Sequence, residues 1–509
     1  MKKKELFILT AFIILKFVLQ YVLIDPVYDL HRDEYLHLDQ ANHLAWGYRS
    51  VPPFTSWISY IIQWLGNSVF WVKFIPALFG AITIGLVWLI VDTFKGNLWA
   101  KMLAASGVLF SVLLRLNTLY QPNSFDVLSW SLVFYFFIKY LKSSQAKWIY
   151  LCAVSFALGF LNKYNITFLA IGLLPALLFS SHRIIFLRKE LWIALAIVFL
   201  MVLPNLVWQW NNQFPVVQHL NELSTTQLVN VSRMQFLSTQ PLFYSGSLLL
   251  IVVSLFALMF YKPFKEIRFL LVVFGVILVV YTYLRAKDYY AIGLYPLYIA
   301  LGAIYVTNVL NKKWRIPVFV LLLMAPVASF AYMVGFLFPN KTPEYIMSHQ
   351  EKYKSMGMLR WEDGKDHDLP QDYADMLGWR ELAEITDKAY SAVRQTGETL
   401  VLCDNYGQAG AVNFYSQKGI RAVSFSADYI DWFDLDRTYV NLIRVINRFE
   451  KDSEFPETAV YFNEAFEVDS ISNRFAREKG TAVYVFKGAR DGVDISAILG
   501  QEIKELLKQ

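Results

Sequence analysis

Val69-Phe-Trp-Val-Lys-Phe-Ile-Pro-Ala-Leu-Phe-Gly-Ala-Ile-Thr-Ile-Gly-Leu-Val-Trp-Leu-Ile-Val91 carries a single charged residue, Lys73. The hydrocarbon of a bilayer offers backbone N–H and C=O groups no water, so a crossing segment needs about 20 mostly apolar residues in a helix that bonds internally. This run meets that requirement. Comparable runs on either side fall near Leu6–Ile24, Trp99–Thr118, Phe125–Leu141, Trp148–Leu161, Ile166–Phe179, Leu191–Trp208, Leu242–Phe260, Phe269–Leu284, Ala291–Leu310 and Ile316–Phe338. The sequence thus predicts a polytopic α-helical membrane protein with about eleven transmembrane helices. The short pair Trp148–Leu161 and Ile166–Phe179 reads as a tilted or re-entrant hairpin broken at Asn162–Asn165. The first run follows Lys2–Lys4 and precedes Asp25–Pro26 without a small-residue cleavage site, so it reads as an uncleaved span.

Composition agrees. The 509 residues are 56% hydrophobic, a surplus that excludes a single soluble globule, and 17% aromatic, which excludes disorder. Lysine and arginine exceed aspartate and glutamate by 47 to 41, a net charge of +6. That is too mild for a nucleic-acid reader, and the cations suit anchoring to membrane lipids. Cys152 and Cys403 cannot form a disulfide framework and read as free thiols.

Positive flanks resist translocation, so lysine- and arginine-bearing connections mark the cytoplasmic side. Lys2–Lys4, Lys95 with Lys101, Lys139 with Lys142 and Lys147, Arg183 with Arg188, Lys262 with Lys265, and Lys312 with Arg315 form that set. Tyr28–Ser68, Tyr120–Ser124, Gln209–Gln240 and Arg285–Tyr289 then face outward, as does everything after Pro339. This divides the chain into a membrane domain over 1–338, with a first outward loop at 25–68, and an extracytoplasmic soluble α/β domain over 339–509. In the latter, Thr399–Cys403, Ala459–Phe462 and Ala482–Phe486 read as strands, and Gly378–Arg394 and Ile495–Lys508 as helices. Asn405-Tyr-Gly-Gln-Ala-Gly410 lacks the spacing of a nucleotide-binding loop.

The chemistry concentrates on the outward side. The loop Tyr28-Asp-Leu-His-Arg-Asp-Glu-Tyr-Leu-His-Leu-Asp39 sets Asp33 and Glu34 side by side, where a helix turns them in different directions. Such a carboxylate can take a proton from an acceptor hydroxyl or amine. It can equally help hold a divalent ion, Mg²⁺ or Mn²⁺, and Asp33 with His37 is the candidate pair, flanked by His31 and Asp39. Trp46-Gly-Tyr-Arg-Ser-Val-Pro-Pro53 follows, in which paired prolines stiffen a turn among interfacial aromatics. Arg115 and Asp126 lie at the next outward hairpin, Lys163 at the one after, and Arg285 and Lys287 later. Cations collected on one face at membrane depth suit a lipid phosphate or diphosphate.

The ordered set His31-Arg-Asp-Glu-Tyr35, Trp46-Gly-Tyr48 with Pro52-Pro53, Gln121-Pro-Asn-Ser-Phe-Asp126, Leu161-Asn-Lys-Tyr164 and Lys287-Asp-Tyr-Tyr290 before Tyr295-Pro296 resembles the GT-C membrane glycosyltransferases related to protein O-mannosyltransferases and the lipid A aminoarabinose transferase. The resemblance implies the GT-C fold and transfer of a sugar, with inversion, from a polyprenyl-phosphate carrier to a lipid, glycan or protein acceptor outside the cytoplasmic membrane. By the same resemblance Asp33 is the catalytic acid-base residue, Glu34 its neighbour in acceptor positioning, and Asp126 a second site carboxylate. Lys163, Arg285 and Lys287 bind the carrier phosphate, and Tyr289 and Tyr290 line the site. The aminoarabinose enzyme has a Glu-Lys pair before its paired prolines; this chain has Ser50-Val51, with Arg49 as the substitute cation. The competing reading is a transporter or flippase of a lipid-linked sugar, for which polar groups belong near the bilayer midplane in two related halves.

Overall fold

The computed structural model describes residues 2–226, 231–447 and 451–507. Residues 227–230 of the expected outward segment Gln209–Gln240, and Lys508 at the end of the expected last helix, lie outside them. The chain folds as two compact units, one of Met1–Leu23, Ala45–Thr55 and Leu65–Phe338, the other of Ile24–Leu44, Ser56–Trp64 and Pro339–Gln509. The loop expected over 25–68 as part of the membrane domain is therefore divided between the units.

The first unit is helical. Each expected apolar run coincides with helix, but the number of full spans differs from the expected eleven. Among the described residues six helices are long and apolar enough to cross a membrane: Lys3–Val22, Val69–Thr93, Asn123–Ser143, Lys189–Asn211, Asp288–Val309 and Lys313–Leu337. Two bent pairs, Tyr164–Leu178 with Ser181–Leu187 and Arg233–Phe243 with Ser245–Phe260, bring this to eight if each pair is one span. The remaining runs are the shorter helices Leu98–Leu109, Ala146–Asn162 and Phe269–Tyr283. The break expected at Asn162–Asn165 is present: Lys163 is extended, with φ −159° and ψ 127°, between a helix and a 3₁₀ turn. Lys101 is buried rather than solvated, its ammonium 2.6 Å from Asp92 and 3.3 Å from Glu5, so it ties three helices together.

The second unit carries a five-stranded sheet in the order β2-β1-β3-β5-β4, with β1 Thr399–Cys403, β2 Ala422–Ser424, β3 Asn441–Ile446, β4 Phe462–Ser470 and β5 Ala482–Ala489. β1 runs parallel to β2 and β3, with Val401 opposite Ala422 and Ile443; β5 is antiparallel to β3 and β4, with Val485 opposite Ile443 and Phe466. Every residue of β3 is buried, as expected of a strand covered on both faces, whereas edge strand β4 exposes most of its residues. The expected strand at Ala459–Phe462 is not one: Ala459 ends the helix Lys451–Ala459 and Phe462 begins β4. The amphipathic helix Trp379–Val393 buries Leu382, Ile385, Ala389 and Val393. Cys152 and Cys403 are free and buried.

Candidate active site

In the second unit, Arg32–Asp39 forms a helix because His31 caps it. The His31 ring accepts the Asp33 N–H at Nδ1, and the Glu34 carboxylate accepts the His31 N–H at 2.6 Å, closing a capping box. Glu34 is consequently wholly buried, while Asp33 keeps 36% of its side chain exposed. The two neighbours point different ways, as a helix requires. The other ring nitrogen of His31, Nε2, lies 3.8 Å from Asp375. Asp375 in turn accepts a bidentate pair of contacts, 3.1 and 3.2 Å, from Arg477.

Asp33 Oδ1 accepts a hydrogen bond at 2.7 Å from Tyr406, whose hydroxyl also accepts one at 2.7 Å from Arg32. Arg32 Nε lies 3.8 Å from the same carboxylate oxygen, and His31 lies 3.9 Å from the other. Burial opposes ionisation of Asp33, but His31, Arg32 and the Tyr406 hydroxyl outweigh it and hold the carboxyl below its ordinary value. Burial, reinforced by Asp33, pushes the Tyr406 phenol up, so it stays protonated and can donate. Burial also pushes Asp375 up, against the pull of His31 and Arg477.

A second group lies within the first unit, where three of the sequence motifs converge. Lys163 Nζ donates to Asn123 at 2.8 Å and sits 4.9 Å and 4.4 Å from the ring centres of Tyr289 and Tyr290. Asn165 donates to Asp126 Oδ2 at 2.8 Å and to the Tyr290 carbonyl at 3.1 Å, and accepts from the Tyr281 hydroxyl at 2.7 Å. Trp130 donates to the other Asp126 oxygen at 3.2 Å, so that buried carboxylate locks its neighbours in place. The turn before the paired prolines is fixed nearby in this network: the Trp46 carbonyl accepts from Asn205, which accepts from Tyr164, beside Lys163. Arg49, Arg285 and Lys287 are half-buried, and Arg285 has a left-handed backbone, φ 52°. Arg115 donates to Thr118 at 2.7 Å. Lys163, Tyr289, Tyr290 and Asp126 are thus brought into one bonded group. Asn123, Trp130, Tyr281 and Tyr406 were not singled out by the sequence, which offers no periodicity or charge signal for them.

Asp33 and His37, one turn apart, have no third ligand with them: among the described residues no group of three or more His, Cys, Asp or Glu can hold a metal. Asp39 is engaged by Asn42 and Asn413 instead. This set does not fit a resident Mg²⁺ or Mn²⁺, which requires octahedral, oxygen-rich coordination.

Two solved structures, both of ArnT from Cupriavidus metallidurans, align over 94% of this chain and 97% of theirs. The one bound to undecaprenyl phosphate gives a TM-score of 0.62 and the apo form 0.61, each at 13% identity. This is a GT-C fold. The family described as dolichyl-phosphate-mannose-protein mannosyltransferase matches residues 50–208. That segment of the GT-C fold holds Pro52-Pro53, Gln121–Asp126 and Leu161–Tyr164; Asp33 precedes it and Lys287–Tyr290 follow it. No curated protein matches the chain.

Proposed function

We infer that the chain is an inverting glycosyltransferase that moves a sugar from a polyprenyl-phosphate-linked donor to a lipid, glycan or protein acceptor at the outer face of the cytoplasmic membrane. The observation that carries this reading is the convergence of Lys163, Tyr289 and Tyr290 on one another through Asn165 and Asp126, in a GT-C fold whose solved relative was crystallised with undecaprenyl phosphate. An ammonium over two aromatic rings, beside amide donors, suits a phosphate whose lipid tail remains in the bilayer. Arg49, Arg115, Arg285 and Lys287 supply further positive charge to that carrier. The eleven helical runs all serve as membrane segments, the N-terminus is cytoplasmic, and residues 339–509 lie outside.

In the reaction the acceptor hydroxyl or amine attacks the anomeric carbon and loses its proton to Asp33, while the bond from that carbon to the phosphate oxygen breaks and the electron pair leaves with the polyprenyl phosphate. The exposed face and depressed pKa of Asp33 keep it ionised and reachable at neutral pH. Glu34 shapes the helix that presents it, and Asp126 orients Asn165 rather than meeting the sugar. Base assistance of this kind is worth about 10²–10⁴ in rate. The test is Asp33→Asn in reconstituted membranes supplied with the lipid-linked sugars that accumulate in a strain lacking the chain. Turnover is expected to fall by that factor; a correctly folded variant with normal turnover rejects the assignment.

A further inference from the structure

Asn405-Tyr-Gly-Gln-Ala-Gly410 has the glycines of a phosphate-binding loop without the spacing, and its place in the fold gives those glycines another purpose. The Asn405 side chain accepts from the N–H groups of Gly407 and Gln408, capping the helix Tyr406–Tyr415 and setting Tyr406 at its first position. Glu478 secures the cap by accepting from Gln408 at 2.7 Å and Asn405 at 3.3 Å. A Cβ on Gly407 would run into Arg32 Cγ, and one on Gly410 would lie 2.7 Å from Tyr35 Cβ. Two glycines one turn apart therefore let the helix Arg32–Asp39 approach closer than any side chain allows, and this approach brings the Tyr406 hydroxyl to Asp33.

We propose that Tyr406 is a positioning residue for Asp33: residues 405–410 form a cradle that seats the first-loop helix and fixes one oxygen of the carboxylate that deprotonates the acceptor. The proposal rests on Asp33 being the base. Several groups face that carboxylate: His31, Arg32 and His37 from its own helix and cap, and Asp375 and Tyr406 from the later segments, with Arg477 behind Asp375. Arg32 at 3.8 Å contributes charge, and His31 lies 3.9 Å from the other oxygen, neither through a short directional bond. Tyr406 at 2.7 Å contributes direction. A carboxylate that swings between rotamers spends less time in line with an incoming nucleophile, so the loss belongs in kcat rather than in substrate binding.

The full-length protein in native-lipid nanodiscs, with the polyprenyl-phosphate-sugar and envelope extracts of a strain lacking the chain as substrates, provides the test. Tyr406→Phe is expected to lower kcat by about 10–100-fold while changing KM for either extract by less than about twofold. Its acidic limb of kcat/KM is expected to move up by about 0.5–1 pH unit, because a donor to the ionised carboxylate has gone. Fluorinated tyrosine placed at 406, an isosteric and stronger donor, is expected to fold and to move that limb downward. A kcat within about twofold of wild type, a change confined to KM, or a fluorotyrosine enzyme with an unshifted limb would each overturn the proposal. Asp33→Asn assayed alongside separates the two levels: normal turnover there sinks the base assignment and this proposal with it, whereas its loss beside an unaffected Tyr406→Phe enzyme sinks only the role of Tyr406.

Discussion

Tyr406 donates to Asp33 at 2.7 Å although 373 residues of chain separate them. Burial pulls the other way, yet His31, Arg32 and this hydroxyl hold the folded pKa below the ordinary 3.8. A carboxyl lowered on folding contributes stability that is complete above its unfolded value and is lost as pH falls through the folded one. Asp33 therefore remains charged throughout the physiological range, and kcat/KM should be level between about pH 7 and about pH 5. A pH-rate series in which activity declines with an apparent pKa near 6 would contradict this.

Lys163 carries the second prediction. With its ammonium over Tyr289 and Tyr290 and bonded to Asn123, Lys163→Met should lower kcat/KM for the lipid-linked donor by about 10²–10³, the usual cost of losing one group that stabilises developing charge. Lys163→Arg should recover only part, since a planar guanidinium cannot take the place of a compact ammonium between two rings. Donor titration with acceptor in excess measures both, and equal activity of Met and wild type would remove Lys163 from the site.

Asp126 should behave as a structural anchor. Its two oxygens take the Trp130 and Asn165 donors, so Asp126→Ala removes the acceptor of the buried Trp130 N–H and one of the two acceptors of the Asn165 amide, at a cost of about 2–4 kcal/mol. Thermal unfolding in detergent should show a clear drop in midpoint, accompanied by weaker donor binding as the Tyr290 carbonyl is released. Unchanged stability with abolished turnover would instead place Asp126 in direct contact with the reacting sugar.

Gly410→Ala tests the close helix approach. The added methyl would lie 2.7 Å from Tyr35 Cβ, 2.7 Å from the Tyr429 hydroxyl and 3.0 Å from the Tyr35 backbone carbon. Two of these are a Cβ and a backbone atom that cannot swing aside, and the third ends a wholly buried ring. Overpacking of this kind costs about 1–3 kcal/mol, and the helix bearing Asp33 should loosen, seen as faster proteolysis within 24–44. A variant as resistant as wild type would show that the two helices can separate without penalty.

Much of the membrane region was legible because a bilayer demands runs of apolar residues that local composition records. Its limits were also physical: Leu98–Leu109, Ala146–Asn162 and Phe269–Tyr283 fall short of a full span, so hydropathy located them without defining how many helices cross. Lys163 and Asp126 were visible as ionisable groups at breaks between apolar runs, and Tyr289 and Tyr290 through the motif that carries the family resemblance, yet Asn165, which joins Asp126 to Tyr290, is an uncharged amide with no signal of its own. The sheet was partly visible: β1 was read at its true limits, while Ala459–Phe462 was misread because a helix end and a strand start are both rich in small and aromatic residues there.

Sequence alone determined that this chain belongs in a membrane, where its apolar runs lie, and that Asp33 sits among ionisable neighbours, because hydropathy and charge are properties of residues close together in the chain. Tertiary structure decided that Glu34 would be buried as a helix cap, that Asp126 would hold an amide, and that the Asn405–Gly410 segment would bring a phenol to Asp33. Those outcomes depend on which surfaces pack together, and close packing between segments hundreds of residues apart leaves no local pattern.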